Sequence, residues 1–206
     1  MGALTEPRDT LIGTAIDLSR QWCHGHKIDG SPALGHALKV ARKVDQHLPD
    51  AAPDLIAAVV LHDAPYFAPE GTDLDEVLTE RLSPAVTRIV RAIEREHQAL
   101  DAAETPEIDT SDPETLVASA ADKVVSVAAI TRRARRAADG RAYWSTRRSF
   151  IKRVPYFRAF AAAAEPHLPA GLARELATVV DHAYEATAPY RWPLPHPARA
   201  AEPPLS

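Results

Sequence analysis

Apolar residues recur at helical spacing along the chain, and its 18 prolines fall mostly where such segments would begin or end. Strand-like alternation persists nowhere beyond a few residues. Alanine and leucine are abundant and glycine is scarce, at 8. The pattern therefore predicts an all-α, compact bundle of about seven or eight helices. The expected spans are Thr10–Cys23, Ala33–His47, Pro53–Asp63, Leu74–Leu82, Pro84–Leu100, a helix from the Ser111–Asp112–Pro113–Glu114 start signal to Ala138, Ala142–Ala164 and Pro169–Ala186. Pro155 is expected to kink or break the seventh of these. The run Leu55–Ile56–Ala57–Ala58–Val59–Val60–Leu61 is apolar on every side and predicts a helix at the centre of the core. The stretch between Asp101 and Ser111 reads as a loop, and so does Asp29–Gly30–Ser31–Pro32. A chain of 206 residues suits one domain, here residues 1–188. Six prolines among the last 18 residues predict a disordered tail over 189–206.

Composition removes several function classes. One cysteine, Cys23, excludes an internal disulfide framework and a Cys-rich zinc site. No run of about 18 apolar residues is present, so no spanning helix is expected. The N-terminal residues lack the basic and apolar regions of a signal peptide, which makes a cytoplasmic location the expectation. A net charge of −4 argues against indiscriminate nucleic-acid binding. Charge is nonetheless uneven. Between Thr131 and Phe160 stand ten basic residues and one acid, Asp139. Such a segment suits a phosphate-rich ligand, a nucleic acid or simply a solvated helix face. The aromatics interleaved with it, Tyr143, Trp144, Tyr156, Phe157 and Phe160, are expected in the core.

Four residues carry candidate chemistry. His62–Asp63 follows directly on the apolar run, where an imidazole beside a carboxylate is costly to desolvate unless a cation compensates. The alternative is that the helix emerges into solvent there, helped by Pro65. His36 lies early in the second helix. Asp122 sits among Leu116, Val117, Ala118, Ser119, Ala120 and Ala121, where a mid-helix aspartate wants a partner, either a metal or a base such as Lys123. Two imidazoles and two carboxylates suit manganese, iron or another divalent transition ion rather than calcium.

The order His36 … His62–Asp63 … Asp122 on successive helices resembles the HD superfamily of metal-dependent phosphohydrolases. The segment from Lys27 through His36 to Ala41 is similar to the first metal-histidine segment of RelA/SpoT-type hydrolase domains and small alarmone hydrolases. Ala57–Asp63 resembles their second segment, and Ala120–Ala121–Asp122–Lys123–Val124 their leucine–alanine–aspartate–basic helix. The likeness spans about residues 10–185. It implies an all-helical fold and one divalent metal, Mn2+ first, with Fe2+, Co2+ or Ni2+ as alternatives. It assigns His36, His62, Asp63 and Asp122 as ligands. The metal would hold a water and offset phosphate charge. In the alarmone branch that water removes the 3′-pyrophosphate of guanosine tetra- or pentaphosphate. The resemblance places Lys27 near phosphate, and Arg132, Arg141, Arg147 and Arg148 on helices that border the substrate pocket.

The chain departs from that pattern in two places. The family follows its His–Asp pair with a Glu–Asp pair that handles the catalytic water, where this chain has Tyr66 and Phe67. Glu70 or Asp73 is the candidate substitute. After Asp122 the family's aromatic or histidine, asparagine and arginine are replaced by Val125, Ser126 and Ala128. The alternative function is a catalytically degenerate HD domain that binds metal and nucleotide as a regulatory module. A helical nucleic-acid-binding protein, resting on the basic segment alone, is the third. The expected partner is a small phosphorylated, nucleotide-like substrate, with no membrane, and a homo-oligomer is compatible. His24 and His26 line the pocket mouth or an exposed loop. His97, His167, His182 and His196 show no partner pattern, and Cys23 shows none of the surroundings of a nucleophile.

Overall fold

Every residue from Leu55 to Leu61 is at most 2% exposed, and the rest of the molecule is arranged around that run. A computed structural model describes residues 9–28 and 30–191. The apolar run forms α3 (Pro53–Val60), which is apolar on all sides and so accepts neighbours on all sides. Those neighbours are α1 (Thr10–Trp22), α2 (Ala33–His47), α6 (Pro84–Asp101) and α7 (Pro113–Arg136). The one-turn α4 (Ala64–Phe67) follows α3, and α5 (Leu74–Arg81) packs on α6. The C-terminal part adds α8 (Gly140–Ser145), α9 (Arg148–Ala164) and α10 (Ala170–Thr187), with α10 lying along both α7 and α9. The fold is an all-α helical bundle, as the periodicity predicts. Among the described residues no helix is long and apolar enough to cross a membrane.

Start signals work as their chemistry requires. Asp9, Asp73, Ser83, Asp112 and Asp139 each accept a hydrogen bond from a backbone N–H in the first turn of the helix they precede. Four boundaries differ from expectation. First, α3 stops at Val60 rather than Asp63. The Leu61 N–H bonds the carbonyls of both Ala57 and Ala58, which tightens the last turn, and Pro65 opens α4 instead of merely ending α3. Second, helix α9 runs through Pro155, and the interruption lies at Thr146–Arg147. There the hydroxyls of Ser145 and Thr146 donate to the Ala142 and Tyr143 carbonyls and close the end of α8. Pro155 faces solvent, where the Ile151 carbonyl that it leaves without a donor can be hydrated. Third, the stretch before α2 holds a minimal antiparallel pair, β1 (Lys27–Ile28) with β2 (Ser31–Pro32), turned by Gly30 at a φ of 75°. Fourth, Ala188–Tyr190 forms a 3-10 turn, and Arg191 stacks 3.4 Å from the Tyr184 ring centroid, so the folded part extends past 188. The rest of the expected disordered tail, 192–206, lies outside the described residues.

One buried charge pair ties three helices. Lys123 of α7 is 4% exposed and is bonded to Glu96 of α6 and, at 2.7 Å, to the Ser119 hydroxyl. Ser119 and Tyr156 of α9 also donate to the Glu96 carboxylate, at 2.6 and 2.7 Å. Lys123 thus belongs to Glu96 rather than to Asp122. Burial pushes the Glu96 carboxyl up, but the Lys123 charge and these hydrogen bonds outweigh it and hold it below its ordinary value. Its stabilisation is therefore complete above about pH 4.3 and is lost as pH falls through the folded-state value. We expect Lys123→Met to cost about 3–5 kcal/mol in urea denaturation, because it strands a buried carboxylate. Adding Glu96→Gln should recover part of that loss and flatten the acid limb of the stability profile.

Candidate metal centre

The centre forms where three helices meet. On α2, His36 falls on the buried stripe of Ala33, Ala37, Val40 and Val44. On α7, Asp122 is flanked by small buried residues, Ala118, Ala120 and Ala121, that let the neighbouring helices approach. His62 and Asp63 sit in the turn that ends α3, so the early stop of that helix turns both side chains toward α2 and α7. His36, His62 and Asp122 are 8%, 1% and 8% exposed.

The ligand atoms of His36, His62 and Asp122 all lie within 4.8 Å of one another. His36 Nε2 is 3.1 Å from Asp122 Oδ1 and 3.9 Å from Asp63 Oδ2. His62 Nε2 is 3.1 Å from Asp63 Oδ2 and 3.7 Å from Asp122 Oδ1. Asp63 thus adjoins the compact trio. The tautomer of His62 follows from its other nitrogen, where Nδ1–H donates to the Val59 carbonyl at 2.7 Å. Its Nε2 then presents a lone pair to a carboxylate oxygen that is also an acceptor. Both atoms are buried and have no hydrogen-bond partner. Two facing acceptors repel unless a proton or a metal cation lies between them. A proton would serve the His62–Asp63 pair, whereas a divalent ion could be shared by the whole compact trio of His36, His62 and Asp122 with Asp63 beside it. The residues present therefore fit a divalent transition ion.

Asp122 is held from both sides. Ser126 donates to Oδ1 at 3.0 Å, and His97 Nε2 lies 3.4 Å from Oδ2. Burial favours the protonated acid, but hydrogen bonds from His36 and His97 prevail and hold this carboxyl well below the usual range. Burial likewise pushes the His97 imidazole down, and its contact with Asp122 outweighs this and carries it upward. His97 is a site residue for which sequence reading found no partner. Its signal is its place on the α6 stripe of Val86, Val90, Ile93 and Leu100, where a histidine interrupts buried apolar positions.

The cluster opens on a cavity of about 310 Å³. Ile130, Phe150 and Phe157 supply an apolar lining, and Tyr66, Asp101 and Arg153 supply polar groups. Partial burial, followed by the nearby carboxylates of Asp101, Asp63 and Glu94, pushes the Tyr66 hydroxyl up to about 12. A phenol hydroxyl keeps its proton at neutral pH, so Tyr66 is a potential donor at the cavity edge. Phe67 is turned the other way and stacks on the His26 ring at 4.7 Å.

The other residues singled out in the sequence lie elsewhere. Lys27 is exposed on β1 and Arg141 is exposed on α8. Arg147 stands 5.3 Å from the Tyr143 ring, and Arg148 reaches the Tyr190 carbonyl at 3.4 Å. Arg132 lines a smaller adjoining cavity of about 60 Å³ that shares His36 and Ser126 with the larger one. Glu70 is exposed between α4 and α5, and Asp73 is engaged as the N-cap of α5, accepting from the Glu76 N–H at 3.0 Å. Of these residues none lines the 310 Å³ cavity. The arginine that does line the cavity is Arg153, further along α9. No protein-family model matches the chain, and no curated protein matches it.

Mn2+ should raise the unfolding free energy, by about 2.7 kcal/mol at a hundredfold excess over its Kd. The gain should disappear in His62→Ala and in Asp122→Asn. A wild-type unfolding midpoint that ignores Mn2+, Fe2+, Co2+ and Ni2+ alike would remove the centre's assigned role.

Proposed function

We propose that this chain is a metal-dependent phosphohydrolase of a small phosphorylated, nucleotide-like ligand. The observation that carries the reading is the pair of facing acceptors, His62 Nε2 and Asp63 Oδ2, buried 3.1 Å apart beside a ligand-sized cavity. The order of His36, His62–Asp63 and Asp122 along the chain, and the resemblance to the HD superfamily that rests on it, supports the same reading. His36, His62, Asp63 and Asp122 would hold one divalent ion, Mn2+ first. Such an ion supplies Lewis acidity, acidifying water and offsetting phosphate charge. The protein's own groups do the rest. The Val59 carbonyl fixes the His62 ring, His97 and Ser126 orient the Asp122 carboxylate, and Tyr66 offers a hydrogen bond to a ligand oxygen. The walls formed by Ile130, Phe150 and Phe157 exclude water from an apolar body. By resemblance the first substrate to test is guanosine tetra- or pentaphosphate, hydrolysed at its 3′-pyrophosphate. This substrate class agrees with action in the cytoplasm.

One observation favours a second reading, a regulatory module that binds metal and nucleotide with little turnover. At the positions after His62–Asp63 where the resembled family carries a Glu–Asp pair, Tyr66 borders the cavity and Phe67 stacks on His26, and neither offers a carboxylate to take a proton from water. The two readings separate in one assay. Purified protein is loaded in turn with Mn2+, Fe2+, Co2+ and Ni2+, and phosphate and pyrophosphate release is followed from guanosine tetraphosphate, nucleotides and simple phosphoesters. Release that requires metal and vanishes in His62→Ala is the expected result. Bound metal with no release across the panel would favour the regulatory module.

A further inference from the structure

The cavity beside the metal centre is lined by two side chains that carry a full positive charge, and only one is available to a ligand. Lys123 is committed to Glu96 and Ser119. Arg153 makes a single bond to Asp101, Nη2 to Oδ1 at 2.6 Å, between side chains that are 30% and 57% exposed. Ions that stay this hydrated exchange partners readily. Asp101 is also the last residue of α6, where the carbonyl end of the helix disfavours a carboxylate. Only Nη2 of Arg153 is engaged, by a single carboxylate oxygen, and the Nε is buried without a hydrogen-bond partner. A guanidinium held through one nitrogen keeps its other Nη donors for a phosphoryl group, whose oxygens it can take two at once. Leu100, Ile130, Phe150 and Phe157 surround this corner with apolar surface.

We propose that Arg153 anchors a phosphoryl group of the ligand and that Asp101 holds the guanidinium until that group displaces it. The ligand class is a compact oxyanion carried on an apolar or aromatic body. The identification of the ligand as a substrate rests on the phosphohydrolase reading, while the anion site stands on Arg153 and Asp101 alone. Displacement makes the two variants opposite in sign. Arg153→Gln should weaken the binding of inorganic phosphate and of guanosine 5′-monophosphate by about tenfold or more. Asp101→Asn should tighten both by about threefold to fivefold, because the competitor is gone.

Isothermal titration of the folded wild type, both single variants and the double variant tests this, with and without Mn2+. Tightening by Asp101→Asn that disappears in the Arg153→Gln background is the expected result, since the carboxylate acts through the guanidinium. Tightening that persists without Arg153, no response to either variant, or no anion binding in any of the four proteins overturns the proposal. Metal stoichiometry in the same samples separates the two readings. Opposite-signed variants without bound metal would retain the anchor and remove the metal reading. Stoichiometric metal with unresponsive variants would do the reverse.

Discussion

Two imidazoles and two carboxylates are held together at the buried end of a cavity in an apolar bundle, and the geometry of the turn after α3 makes this possible. Had α3 run on to Asp63, the Val59 carbonyl would have been engaged by the backbone of residue 63. Because the helix tightens at Leu61, that carbonyl is taken by His62 Nδ1 instead. The imidazole is thereby fixed in rotation and tautomer, with its other nitrogen directed at Asp63 and Asp122. Buried polar groups without partners are costly, and this arrangement suits a cation at its centre.

Around the centre, helices α6 and α7 are joined by two consecutive residues on each. Glu96 and His97 of α6 meet Lys123 and Asp122 of α7, respectively. A one-residue slip between these helices would separate both pairs at once. The Glu96–Lys123 pair, completed by Ser119 and Tyr156, sets the register and anchors α9. The His97–Asp122 pair transmits that register to a candidate ligand of the centre. Stability and site geometry thus depend on the same helix contact, and α9, held to it through Tyr156, carries Arg153 into the cavity.

Much of this was legible in the sequence. The bounds of α2 follow from its apolar stripe and the prolines that flank it. The four ligand candidates follow from polar residues placed where only apolar ones are cheap. What was not legible depends on tertiary placement. His97 has no partner within its own helix, since Asp122 is 25 residues away, so only the contact between α6 and α7 reveals it. The ten basic residues could not be ranked from charge alone, because which of them faces the cavity depends on how α7, α8 and α9 pack together. Pro155 misled for a related reason. A proline on the exposed side of a helix is tolerated, and exposure is a property of the packed molecule.

We propose that His36 and His62 share one ion with Asp122 and Asp63. X-ray absorption spectroscopy of the Mn2+- or Co2+-loaded protein tests it most directly, because outer-shell scattering counts imidazole ligands independently of any turnover. Two imidazole nitrogens with the remaining ligands oxygen are expected, and one imidazole fewer in His36→Ala. A spectrum with no imidazole, or one unchanged by His36→Ala, would contradict it.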